Sequence, residues 1–177
     1  ILAKKISSKL LNNKHDESIE LINNHPDFLI INKEKILLKH ITYRDNEWDE
    51  DLGKRNVNDF LSITPSKSSN KIVLILNAQL MNDASQNALL KSLEEPAQNT
   101  YIIMTTNRPK SLLDTIYSRC QVLNIPALSQ HSVNEWLVEN GISDVHAYDF
   151  PSYITPLKIL DNIENDKHLT FKSFIKI

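Results

Sequence analysis

With 177 residues, 41% of them hydrophobic and 24% charged, and a formal net charge of −2, the chain has room for one ordinary globular domain, or one domain and a small addition. This balance excludes a disordered chain and a strongly basic nucleic-acid binder, so any contact with DNA is expected to be local or made through partners. A lone cysteine, Cys120, excludes an internal disulfide and a four-cysteine zinc site and points to a reducing, cytoplasmic setting; no apolar run approaches the roughly 18 residues of a membrane span.

In chain order, residues 1–13 place Leu2, Ile6 and Leu10 at helical spacing with lysines on the other faces, which predicts an amphipathic helix. Asn23-Asn24-His25-Pro26 signals a loop, and Asp27 to Ile31 reads as a short buried strand. A second strand is predicted over Lys33 to Ile41. Residues 42–54 are charged and turn-like: Asp49, Glu50 and Asp51 read as a solvated loop, and Trp48 as a possible interface anchor. Val57, Phe60, Leu61 and Ile63 predict a helix ending before Pro65, and Ser66–Asn70 a loop.

The run Lys71 to Asn77 is the clearest strand, apolar on both faces as in the middle of a parallel sheet. A helix follows over Asp83 to Glu95, capped by Asn82 or Asp83 and stopped by Pro96. Tyr101 to Thr105 is predicted as a strand, Pro109 to Ser118 as a helix and Gln121 to Ile125 as a further strand, with Cys120 a small core residue at its start. Alternation of strand and helix predicts a parallel sheet covered by helices. Beyond Pro126 the pattern turns helical: Ser132 to Asn140 carries Val133, Trp136 and Leu137 on one face and stops at Gly141, and residues 155–177 read as two more helices. The predicted division is therefore an α/β domain over 1–127 and a small helical domain over 128–177.

Asn87-Ala88-Leu89-Leu90-Lys91-Ser92-Leu93-Glu94-Glu95-Pro96 is an amphipathic helix ended by proline, with Leu89, Leu90 and Leu93 inward; its periodicity says no more. The word itself, followed by an apolar strand and then by Ser118-Arg119-Cys120, resembles the clamp-loader subunits of bacterial DNA polymerase III, members of the AAA+ ATPase family. His25-Pro26-Asp27, Phe60-Leu61-Ser62-Ile63-Thr64-Pro65 and Leu112-Leu113-Asp114-Thr115-Ile116 extend the resemblance, which is strongest over 57–128 and faint after 130. It implies an α/β fold of AAA+ type, a parallel sheet flanked by helices, with a small C-terminal helical lid. As a bare residue, Arg119 reads as a surface arginine in an ion pair. The resemblance implies an arginine finger that reaches the nucleotide of a neighbouring subunit, with Ser118 and Cys120 as its motif neighbours and Asn87, Leu90, Glu94, Glu95 and Pro96 marking the family helix.

Hydrolysing members carry an Asp-Glu pair (the Walker B motif) at the end of the strand that here reads Ile72 to Ile75; the aspartate orients Mg²⁺ and the glutamate helps activate water. The matching positions are Leu76 and Asn77, neither of which can serve, so no intrinsic ATPase is expected and the delta-prime type of subunit is the better match; the alternative is a gamma/tau-type motor subunit. Thr105 and Thr106 lie where the family places a polar sensor, or they simply cap the strand; Thr155 stands where the lid of hydrolysing members has an arginine. The family's zinc module falls between the first helix and His25, but Asn12 to Asn24 has no cysteine, and His15 and His25 alone make no site, so no zinc is expected. The chain begins at Ile1 within a helical pattern, has only Gly53 and Gly141, and shows neither phosphate loop nor collar domain; it is expected to be a piece of a longer protein, monomeric in isolation. By resemblance the chain itself binds no cofactor, ATP and Mg²⁺ sit on the neighbour, and the partners are gamma/tau and delta subunits within the polymerase holoenzyme and, indirectly, the sliding clamp and primed DNA.

Overall fold

The computed structural model describes residues 2–12, 23–42, 56–151 and 155–165. Readings that fall elsewhere, on His15, Trp48, Asp49, Glu50, Asp51, Gly53 and the last predicted helix, lie outside the described residues. The chain divides into two compact units, Ile1–Val122 and Leu123–Ile177.

The first unit is built on three strands, β1 (Phe28–Ile31), β2 (Lys71–Ile75) and β3 (Thr100–Met104), in the order β1-β2-β3 and parallel throughout. Leu29 pairs with Val73 and Ile31 with Ile75, while Val73 and Ile75 pair with Ile102 and Met104. All of β2 is buried, as its unbroken apolar run requires. Alternate residues feed two cores. Leu29, Ile31, Val73 and Ile75 pack with Phe60 and Leu61 of α3 (Val57–Ser62) and Leu89 of α4 (Asp83–Glu94). Phe28, Ile72 and Leu74 pack with Leu11 of α1 (Leu2–Asn12). Lys71 opens β2 with its chain buried, its ammonium 4.4 Å from the Phe60 ring centre and donating to the Ile63 carbonyl.

Helix α4 starts where its sequence dictates. The Asn82 side-chain oxygen accepts from the Ser85 amide at 2.9 Å and from the Ser85 hydroxyl at 2.6 Å. Asn82→Ala is expected to lower stability by about 1 kcal/mol, read as a reduced midpoint in urea denaturation.

Three expectations are corrected. Lys33 to Ile41 is not a strand: only Ile36 bridges, to Met81, and the chain then turns into the short helix α2 (Leu38–Ile41), where the His40 ring nitrogen accepts the Leu37 amide at 2.9 Å. The predicted helix over Pro109 to Ser118 is a single 3₁₀ turn (Pro109–Ser111) followed by α5 (Asp114–Tyr117). Gln121 to Ile125 forms no strand, because nothing among the described residues pairs with it; Val122, Leu123 and Ile125 are 54%, 74% and 73% exposed. Cys120 therefore opens no strand and is only half-buried, with burial raising its thiol pKa.

The second unit places Val133 and Leu137 of α6 (Gln130–Glu139) and Ile159 of α7 (Pro156–Glu164) in a core with Val145, Ala147 and Phe150, and Trp136 packs against it. Gly141 ends α6 at a φ of 77°, where glycine is at ease. Thr155 is the residue before α7 and gives it no side-chain cap. A parallel sheet flanked by helices and a helical C-terminal unit is the fold class that the sequence predicts.

Candidate functional site

Two places collect the residues singled out above. One lies at the C-terminal end of the sheet, where ligands of open parallel sheets bind. The Leu76 amide still donates to the Ile31 carbonyl at 2.9 Å, and its side chain packs with Phe28, Ile72 and Leu74. Asn77 follows in the left-handed conformation (φ 54°) with its side chain exposed. Its amide donates to Thr105 Oγ1 at 3.2 Å, and the Ala78 amide donates to the Thr105 carbonyl at 2.7 Å. Thr106 Oγ1 accepts from the Arg108 amide at 3.0 Å. Thr105 thus ties the end of β3 to the chain leaving β2, while Thr106 accepts only within the turn that follows β3. No carboxylate occupies the Leu76 and Asn77 positions, so neither offers a hard oxygen anion to a divalent cation.

The other place is built from the end of α4 and the turn after α5. The guanidinium of Arg119 lies against its own chain. Nε donates to Glu94 Oε1 at 2.9 Å, and Nη2 is 2.5 Å from the same oxygen. Nη1 donates to the Thr115 carbonyl at 3.0 Å and to Ser118 Oγ at 3.1 Å. The side chains of Arg119 and Glu94 are 31% and 48% exposed, so the cation is held yet open to solvent. Asn87, Glu95 and Pro96 are exposed on and after α4, Leu90 is half-buried, and Ser118 is exposed. The structure thus brings Arg119, Ser118 and Glu94 together; the strand-end residues Leu76, Asn77, Thr105 and Thr106 are not among the hydrogen-bonding partners of Arg119.

Gln86, which sequence reasoning passed over, links the two halves of this site. Fully buried in α4, its amide nitrogen donates to the Met81 carbonyl at 3.2 Å and the Ser111 carbonyl at 3.4 Å, and its oxygen accepts from the Leu113 amide at 2.8 Å. It thereby ties α4 to the segment that leads into α5 and Arg119. The signal was present: Gln86 stands one helical turn before Leu89 and two before Leu93, a polar residue on the apolar face.

Asp27 was also undervalued. Its buried carboxylate accepts the amides of Ser66 (2.7 Å), Lys67 (2.7 Å) and Ser68 (2.8 Å) and the Ser68 hydroxyl (3.2 Å). Burial pushes its pKa up, but these bonds outweigh it and hold the carboxyl at about 2. Asp27 shapes the loop before β2 rather than any open site.

Among the described residues no group of three or more His, Cys, Asp or Glu is arranged to hold a metal. Nor is any of their helices long and apolar enough to cross a membrane.

The family model described as DNA polymerase III, delta subunit matches residues 3–129, more than half of the chain. A DNA polymerase III subunit delta' from Haemophilus influenzae is 41% identical over 83 residues, 47% of this chain and 25% of that protein. The subunit of the same name from Buchnera aphidicola subsp. Baizongia pistaciae is 31% identical over 156 residues, 80% of this chain and 44% of that protein. Among solved structures, a DNA polymerase III gamma subunit-related protein from Thermotoga maritima matches with a TM-score of 0.55 and 25% identity, over 80% of this chain and 43% of that one. The chain thus spans between a quarter and somewhat under half the length of these proteins.

Proposed function

The chain belongs to the DNA polymerase III delta subunit family, and on that premise we propose that it is part of a delta-prime-type clamp-loader subunit that does not hydrolyse ATP and presents Arg119 to the nucleotide of an adjacent subunit. The observation that carries this reading is the end of β2, where Leu76 is packed among apolar side chains and Asn77 stands in place of a carboxylate. Without an acidic pair there, this strand end offers no carboxylate to orient Mg²⁺ or to activate water for attack on a γ-phosphate. Arg119 supports the second half of the proposal: it is a planar donor fork, partly open to solvent, at the surface turn after α5. A neighbour's ATP and Mg²⁺ would supply the reacting phosphate and its counter-charge; Arg119 would offset charge that builds on the γ-phosphoryl oxygens. The implied partners are gamma/tau-type and delta subunits, and through them the sliding clamp and primed DNA.

In the expected result, the full-length protein on its own turns over no ATP above a buffer blank. Mixed with the gamma- and delta-type subunits of the same organism, it forms a complex whose ATP turnover rises with primed DNA and clamp. Turnover by the isolated full-length protein would instead support the second reading, a gamma/tau-type motor, which the likeness to a gamma subunit-related structure favours.

A further inference from the structure

We propose that Glu94 is the positioning residue of Arg119, an inference that rests on the reading above that Arg119 acts on a neighbour's nucleotide. The carboxylate engages two nitrogens of the guanidinium through one oxygen, Nε at 2.9 Å and Nη2 at 2.5 Å. The opposite edge is held by the Thr115 carbonyl and the Ser118 hydroxyl through Nη1, at 3.0 and 3.1 Å. Fixed from both edges, the guanidinium has a set plane before any phosphate arrives, and an Nη2 N–H remains uncommitted. A cation held in this way meets a developing negative charge without first searching its rotamers, which is how preorganised donors act.

The place of Glu94 adds to the case. It is the last residue of α4, where the unpaired helix carbonyls already concentrate negative charge, so a carboxylate there is opposed by its own helix. The pair is also partly exposed, and exposed ion pairs contribute little to holding a fold together. A carboxylate that the helix disfavours and the fold does not need is accounted for by what it does to Arg119. Gln86 sets the distance over which this works, since it ties α4 to the chain entering α5.

The test uses the full-length protein rebuilt into the complex with its partner subunits. Glu94→Ala is expected to assemble and to melt as the parent does, yet to lower the kcat of DNA-stimulated ATP turnover about tenfold with KM for ATP unchanged. Glu94→Gln is expected to recover most of the loss, because the amide oxygen still accepts the Nε proton. On an Arg119→Ala background, Glu94→Ala is expected to cause no further loss. Turnover that is unchanged or raised in Glu94→Ala, while Arg119→Ala lowers it, would overturn the positioning role alone; a rise would mean that the carboxylate withholds the guanidinium. A loss in Glu94→Ala that comes with failed assembly and is not recovered in Glu94→Gln would assign the residue to structure and overturn it as well. If Arg119→Ala leaves turnover unchanged, the reading beneath the inference falls with it.

Discussion

Arg119→Ala in the full-length protein, rebuilt into the complex, is expected to lower ATP turnover at the interface it faces by on the order of 10³-fold, with little change in the affinity for ATP. The hydrogen bonds of the side chain go to Glu94, Thr115 and Ser118 at a surface turn rather than to the sheet, so its removal is expected to leave the sheet and its two cores in place. The effect therefore falls on the transition state, where charge spreads over the γ-phosphoryl oxygens, and appears in kcat rather than KM. Arg119→Lys is expected to recover only part of the rate. An ammonium keeps the charge but loses the planar fork, and it cannot hold Glu94 and a phosphate oxygen together as the guanidinium can. Single-turnover measurements with clamp and primed DNA separate this step from product release. Equal turnover in the parent and Arg119→Ala complexes would remove Arg119 from the mechanism.

Asp27→Asn is expected to lower the stability of the protein by about 3 kcal/mol in urea denaturation at neutral pH. The parent carboxylate accepts the amides of Ser66, Lys67 and Ser68 in a buried position. An amide in its place turns an NH₂ group toward those N–H donors and leaves at least one without an acceptor. The loop in question leads directly into β2, the strand buried along its whole length, so its distortion reaches the core.

The same carboxylate sets a pH dependence. Its folded pKa, about 2, lies below the ordinary aspartate value of 3.8, so its contribution is fully present above pH 3.8 and is lost as pH falls through about 2. Parent stability is therefore expected to fall between those limits by an amount that Asp27→Asn does not show. Identical acid profiles for the two proteins would refute the role given to Asp27.

Much of the frame was legible because its causes are local. An unbroken apolar run made Lys71 to Ile75 a buried strand, and Asn82 before a leucine stripe and Pro96 after it bounded α4 to within a residue. Other readings failed for want of information that lies elsewhere in the chain. Gln121 to Ile125 has strand composition, but a strand exists only through a partner, and no described residue pairs with it. Lys33 to Ile41 looked extended until the His40 ring took the Leu37 amide and turned the chain.

By itself, then, the sequence determined the family, the strand–helix alternation and the absence of an acidic pair at Leu76 and Asn77. These follow from residue identity and short-range periodicity, which folding does not alter. Tertiary structure alone decided which polar groups meet. Gln86 reaches Ser111 and Leu113, Asp27 reaches the loop 66–68, and Arg119 lies back on Glu94 across a strand and a turn. The physical reason is the same in each case: a buried or folded-back polar group is specified by a partner remote in sequence, and only packing of the sheet and its helices brings the two within hydrogen-bond distance.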